Sequence, residues 1–539
     1  MLGADSHTSS HGGLGAFSIG LGGADITAAM VLGQSWIEVP EAIAVDYVGT
    51  PGFGLSGKEI VLRTLGDLGR NTAAMERTVE YHGDGVHAWS TDTRFTIANM
   101  TAELGGLNGI FAADAVVADW IAGRPQGGEK DGARYFRADD DAPYVARHRI
   151  DLGKLGPLVA RPFSPDRIAA VEDEAGRALA GVFIGACTTT EEELVLGALV
   201  LEAALAAGQT PVAAAPGKRL VVPGDLAIHR RLGQAGLWAV YERAGFTVDP
   251  PGCSMCLGVA SRKAGRGEVW LSSQNRNYEN RMGEGSLAYL ASAATVAASS
   301  LGMKIADPRP LLARVAPERF DKLLGRAPAR ALPEVRPGEP EVAAAAAAPA
   351  AAGAAAGARA GAGEAGQVVR GRVQRFGDHV DTDAIIPGQF CHLTTLAELG
   401  AKCFLFVRPE LVARARAGQT VVVAGEGWGS GSSREQAVWA LQGAGVRAIV
   451  ARSFAFIHKR NLVNEALPFL IVDDPRFYEL AGEDAEVEVD LGRGEVRAAG
   501  QRFAARGSTP MIQALLREGG LVPAIQRHGR DVFGLASGG

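Results

Sequence analysis

Residues 420–451 read TVVVAGEGWGSGSSREQAVWALQGAGVRAIVA, and the order of elements in this stretch decides the fold class. Thr420–Ala424 is a short apolar, β-branched run that reads as a strand. A glycine-rich loop follows, then a helix from about Ser433 to Gln442, then the strand Ala448–Ala451. Strand, loop, helix and strand in that order imply a parallel α/β sheet with ligand sites at the carboxyl ends of the strands. The same alternation appears upstream. Val182–Ile184 reads as a buried strand running into Gly185-Ala-Cys-Thr-Thr-Thr190, then a helix over Glu191–Ala207. Thr190 is its expected N-cap, and Glu191–Glu193 put acids in the first turn, where the helix dipole favours them. Leu220–Val222 is the next strand, followed by a helix over Leu226–Ala244.

The chain has 539 residues, enough for three or four domains of ~150 residues each. Residues 331–366, ALPEVRPGEPEVAAAAAAPAAAGAAAGARAGAGEAG, lack any large apolar side chain after Val342 and read as a linker. The expected organisation is a domain over 1–150, a second over 151–330 that carries a cysteine pair, the linker, and a C-terminal unit over 367–539. Sixty acidic against 54 basic residues give a net charge of −6, which offers no basic footprint for nucleic acid or an anionic membrane. Five cysteines exclude a disulfide scaffold and suit a reducing compartment. No run of strongly apolar residues is long enough to span a membrane, and no secretory leader is visible after Met1, so the expected location is the cytoplasm. Glycine is unusually abundant, 71 of 539, and clusters at 12–23 and 425–431, where it lets backbone approach a ligand closely. A GC-rich genome also inflates glycine.

Four constellations have residue types suited to chemistry. Cys253 and Cys256 form a C-x-x-C within PGCSMCLG, and Cys187 lies at the end of a strand. Spacing alone leaves a zinc site, a redox pair, buried structural thiols and an iron–sulfur centre open. Arg276 and Arg281 follow the strand Val269–Leu271 in SQNRNYENR, a pairing suited to carboxylates, although a solvated charged loop explains them equally. Ser432, Ser433 and Arg434 fall at a helix N-terminus, where free N–H groups favour an anion, and an ordinary serine cap is the alternative. No P-loop lysine accompanies them. Asp5 and His7 in GADSHT form a candidate acid/base pair, while Asn99 and Glu103 lie four apart and so on one helix face.

Together these stretches resemble the aconitase superfamily, the iron–sulfur hydro-lyases that include aconitase, homoaconitase and 3-isopropylmalate dehydratase. The segments that carry the resemblance are ADSHT (4–8), NMTAELG (99–105), the Cys187 loop, GCSMC (252–256), NRNYENR (275–281), DHVDTDAIIP (378–387) and GSSRE (431–435), in the family's order. The resemblance implies an α/β fold: a multi-domain α/β/α large unit with parallel sheets plus a C-terminal α/β swivelling domain, as if the large and small subunits of 3-isopropylmalate dehydratase were fused. It implies that Cys187, Cys253 and Cys256 hold a [4Fe–4S] cluster with one open iron. Ser432 would be the base that takes a carbon-bound proton. Ser6, Arg276, Arg281, Ser433 and Arg434 would bind substrate carboxylates, Asp5, His7 and Glu103 would handle the departing hydroxyl, and Asn99 and Asn275 would neighbour the cluster. The implied partner is a small hydroxy di- or tricarboxylate. No membrane or nucleic-acid partner is expected, and the residues do not specify an oligomeric state.

The resemblance also implies roughly another hundred residues before ADSHT, with a further Asp-His pair. On that reading the chain begins in mid-domain, and the alternative to an active enzyme is a non-catalytic remnant or partial chain that needs the missing segment. A zinc protein is a third reading. Gln389–Thr394 falls where substrate specificity is set in the small subunit, and His392 there favours a more polar group than an isopropyl chain.

Overall fold

The computed structural model describes residues 1–124, 135–258, 262–326, 334–335, 338, 368–507 and 509–536. The linker reading of 331–366 lies almost wholly outside them. The described chain is α/β with parallel sheets, as the sequence implies, and it forms two compact units.

The first unit holds two sheets. In one, the strands run Asn108–Phe111, Thr78–His82, Ala42–Val48 and Ala146–Asp151, all parallel. In its core Tyr81 stacks on Tyr47 and on Phe111, while Trp89 meets Tyr47 tilted and Phe111 edge-on. The other sheet has seven strands. Thr247–Val248, Arg219–Val221, Gly181–Ile184, Val269–Ser272 and Leu287–Leu290 are parallel, and Leu158–Ala160 and Ile168–Ala170 continue it antiparallel. Gly181–Ile184 is buried at every position, which is why it reads as an unbroken apolar run rather than an alternation. The helix after it spans Glu191–Ala206. Thr190 sits at its N-cap, but its side chain makes no capping bond. The single helix expected over Leu226–Ala244 is two, Leu226–Gln234 and Leu237–Arg243, because Gly236 adopts a left-handed conformation with φ of +73°.

The second unit has one seven-stranded sheet. Phe469–Ile471, Ala448–Ala451, Val421–Val423 and Val368–Arg375 are parallel, and Glu486–Asp490, Glu495–Ala498 and Gln501–Ala504 are antiparallel. The helix between the strands Val421–Val423 and Ala448–Ala451 begins at Glu435, with Arg434 at the N-cap, so Ser432 and Ser433 precede the helix rather than open it.

The units are not contiguous in sequence. Leu2–Ser6 and Gly20–Val39 cluster with the C-terminal unit, whereas Met1, His7–Ile19 and the described residues from Pro40 to Gly338 form the other. The stretch 1–150 is therefore not one body. Ala28 and Leu32, on the helix Gly23–Leu32, are buried in the apolar core built by the C-terminal sheet, which explains the grouping.

Candidate functional site

In the first unit His7 and Arg276 meet at the Glu103 carboxylate. The helix Thr91–Asn99 tightens into a 3-10 turn over Met100–Ala102, and Glu103 caps that turn. Glu103 Oε1 lies 3.0 Å from His7 Nε2 and accepts from Arg276 Nε at 2.7 Å. Burial pushes this carboxyl upward, yet His7 and Arg276 more than offset it and hold Glu103 below the usual glutamate range. Its second oxygen, Oε2, is buried and accepts no hydrogen bond among the described residues.

The loop after the strand Val269–Ser272 supplies most of the rest. Asn275 Nδ2 lies 2.8 Å from His7 Nε2 and donates towards Asn99 Oδ1 at 3.3 Å and Cys187 Sγ at 3.4 Å. Its Oδ1 is 3.5 Å from Cys256 Sγ. Asn99 Nδ2 also points at Cys187 Sγ, at 3.3 Å. Arg281 Nη2 is 3.9 Å from Cys256 Sγ. Cys253 begins the turn that carries Cys256, whose N–H donates to the Cys253 carbonyl at 2.9 Å. Cys187 and Cys253 are exposed and Cys256 is buried. Burial raises the Cys256 thiol, and the Arg281 guanidinium opposes it.

These residues fit an iron–sulfur cluster. Two amide N–H groups reach one sulfur and a guanidinium faces another, which suits thiolates, and one asparagine touches both. No three His, Cys, Asp or Glu side chains among the described residues converge on a single ion. A four-iron cluster does not require that, because its thiolates bind different irons.

In the second unit, the segment 378–387 cradles the serine turn. Thr382 Oγ1 accepts from the Ser432 N–H at 3.0 Å, and the Thr382 N–H donates to the Ser430 carbonyl at 2.8 Å. Arg434 pairs with Asp383 at 2.7 Å and donates to the Ile386 carbonyl at 3.1 Å. Ser433 Oγ donates to the Ala4 carbonyl at 2.8 Å, so Asp5 and Ser6 belong to the body that holds this turn. Gly429, at φ of +78°, lets the turn lie directly on the His458 ring, and a Cβ there would meet that ring at 2.3 Å. Burial drives His458 down to about 3, so it is neutral. Asp5 and His7, read as a pair from sequence, are assigned to different units, and Glu103 is an acid that holds His7. His392 Nδ1 lies 2.9 Å from the Gln389 carbonyl within its own loop.

Sequence reasoning missed Lys58. Its ammonium is fully buried, donates to the Gln274 carbonyl at 3.0 Å and lies 3.3 Å from Met100 Sδ. Desolvation lowers it to about 8, against the pull of Glu193, Glu103, Cys187 and Glu59. The available signal was a lysine in the first turn of the helix Gly57–Leu68, where the dipole disfavours a cation. Thr382 and Asp383 were missed as well, although their segment was noted.

Residues 1–180 and 172–302 match the aconitase family (aconitate hydratase), and residues 409–473 match the aconitase C-terminal domain. The chain belongs to the aconitase family. Its relatives in that family include a 3-isopropylmalate dehydratase large subunit from Glarea lozoyensis, 40% identical over 99% of this chain and 66% of the relative. An aconitase from Aspergillus rugulosus is 41% identical over 99% of this chain and 63% of its own length. The 3-isopropylmalate dehydratase large subunit 2 of Archaeoglobus fulgidus is 36% identical over 58% of this chain and 73% of its own. This aconitase-family chain thus spans just under two thirds of the first two relatives' lengths. Among its described residues no helix is long and apolar enough to cross a membrane.

Proposed function

We propose that the chain is an iron–sulfur hydro-lyase that interconverts hydroxy di- or tricarboxylic acids through an unsaturated intermediate, in the manner of 3-isopropylmalate dehydratase or aconitate hydratase. The observation that carries this reading is the buried Glu103 carboxylate, held between His7 and Arg276 while Asn275 joins His7 to the Cys187 sulfur. Cys187, Cys253 and Cys256 would hold a [4Fe–4S] cluster, which when bound supplies a Lewis acid towards a departing hydroxyl.

The chain's own residues divide the remaining work. A C–H beside a carboxylate is a very weak acid, so the carbanion needs cationic and dipolar groups fixed in advance. Arg276, Arg281 and Arg434 are such cations, and Ser6 and Ser433 add hydroxyl donors to the substrate carboxylates. Ser432 takes the carbon-bound proton. His7, kept in place by Glu103 and Asn275, delivers a proton to the leaving hydroxyl, with Asp5 assisting. The relatives' names do not favour the alternative of a non-catalytic remnant. His392 favours a substrate with a polar third arm over an aliphatic one.

Anaerobic reconstitution with iron and sulfide tests the reading. A brown protein that generates the ultraviolet absorbance of an unsaturated acid from a hydroxy tricarboxylate or dicarboxylate supports it. A colourless protein without bound iron overturns it.

A further inference from the structure

Asp25 has no part in the chemistry proposed above, yet only 1% of its side chain is exposed. It sits in the first turn of the helix Gly23–Leu32. Its Oδ1 meets Arg460 Nη2 at 2.5 Å and its Oδ2 accepts from Arg460 Nε at 3.0 Å and from Asn464 Nδ2 at 2.8 Å. Arg460 is equally buried on the helix Phe456–Asn464. It also donates to the Trp36 carbonyl at 2.9 Å, and its guanidinium lies 3.9 Å above the Trp36 ring. Beside this pair Glu435 accepts the Ala24 N–H at 2.5 Å. Buried ion pairs add little net stability, but any other alignment leaves two uncompensated charges, so they are suited to fixing register.

The register is passed on to the motif residues. Just before the helix, the Leu21 N–H donates to the Gly3 carbonyl at 2.9 Å. Gly20 lies so close to the next residues that a Cβ there would be 2.5 Å from the Asp5 carbonyl oxygen. The intervening Ala4 carbonyl accepts the Ser433 hydroxyl. We propose that the Asp25–Arg460 ion pair is the positioning element that sets Asp5 and Ser6 in register with the Ser432–Arg434 turn. The role of that register in catalysis rests on the hydro-lyase reading; the register itself does not.

Hydrogen exchange on the full chain tests this, with Asp25→Asn, Arg460→Met and the double variant. Each single variant speeds exchange across Leu2–Ser6 and Gly20–Leu21 on the order of tenfold, and the double variant is no worse than either single one. The strand Thr78–His82 keeps its protection. Unchanged exchange in both single variants, or strictly additive losses in the double, overturns the proposal. Should the variants fail to fold, the wild-type chain in increasing urea decides: the helices Gly23–Leu32 and Phe456–Asn464 lose protection together, and earlier opening of Gly23–Leu32 overturns it. In the reconstituted enzyme the single variants lose kcat. Full kcat despite faster exchange removes the catalytic part alone, whereas an inert wild type sinks the hydro-lyase reading and leaves the exchange result to decide the register.

Discussion

Arg276 Nε donates to Glu103 Oε1 at 2.7 Å, and neither side chain is more than 1% exposed. Removing one partner of such a pair strands the other charge in a medium that cannot solvate it. Glu103→Ala should therefore cost about 3–5 kcal/mol of stability, read from urea midpoints, as well as abolishing activity. The pH dependence has a defined sign. Because the folded carboxyl lies below its ordinary 4.5, its contribution is complete above that value and disappears as pH falls through the depressed one. A Glu103 variant should lack that acid-limb loss.

Glu193 titrates in the opposite sense. Desolvation first, then Glu59, raise it to about 7, with Lys58 and bonds from Ser56 and the Ala293 N–H opposing them. The folded state thus binds a proton more tightly than the unfolded chain, and wild-type stability should fall as pH rises from 4.5 towards about 7. Glu193→Gln should flatten that slope in urea titrations across the interval.

Gly429→Ala tests the serine turn. The left-handed conformation costs a residue with a Cβ roughly 1–2 kcal/mol, and the clash with His458 adds to it. Loss of turnover should accompany a lowered melting transition of the C-terminal unit, with the transition of the other unit unmoved in calorimetry.

Iron loading separates the cysteines. Serine at 187, 253 or 256 should cut iron bound per chain and visible absorbance after reconstitution. Cys391→Ser, in the other unit, should leave both at wild-type levels.

The elements legible in the sequence are those whose signal is local. Ala448–Ala451 matches its predicted bounds because a fully buried parallel strand is apolar throughout. The break at Gly236 escaped because glycine is also tolerated inside helices, and only the fold reveals its positive φ. Cys187, Asn99 and Asn275 come together in the fold, which their spacing along the chain does not reveal. Asp25 and Glu435 were illegible for a different reason. An acid in a first helical turn looks like ordinary dipole compensation, and its true partner lies some four hundred residues away. The grouping of Gly20–Val39 with the C-terminal sheet follows from the same long-range contacts.

Ser6 and His7 are joined by one peptide bond but are claimed by different compact bodies, and the backbone changes allegiance again after Ile19 and after Val39. With the change after Met1, four such crossings fall within the first forty residues. An insertion of one residue within Leu2–Ser6 would spare the hydrophobic interior and still carry Ala4 off the Ser433 hydroxyl, so this short segment is where the chain should tolerate length changes least.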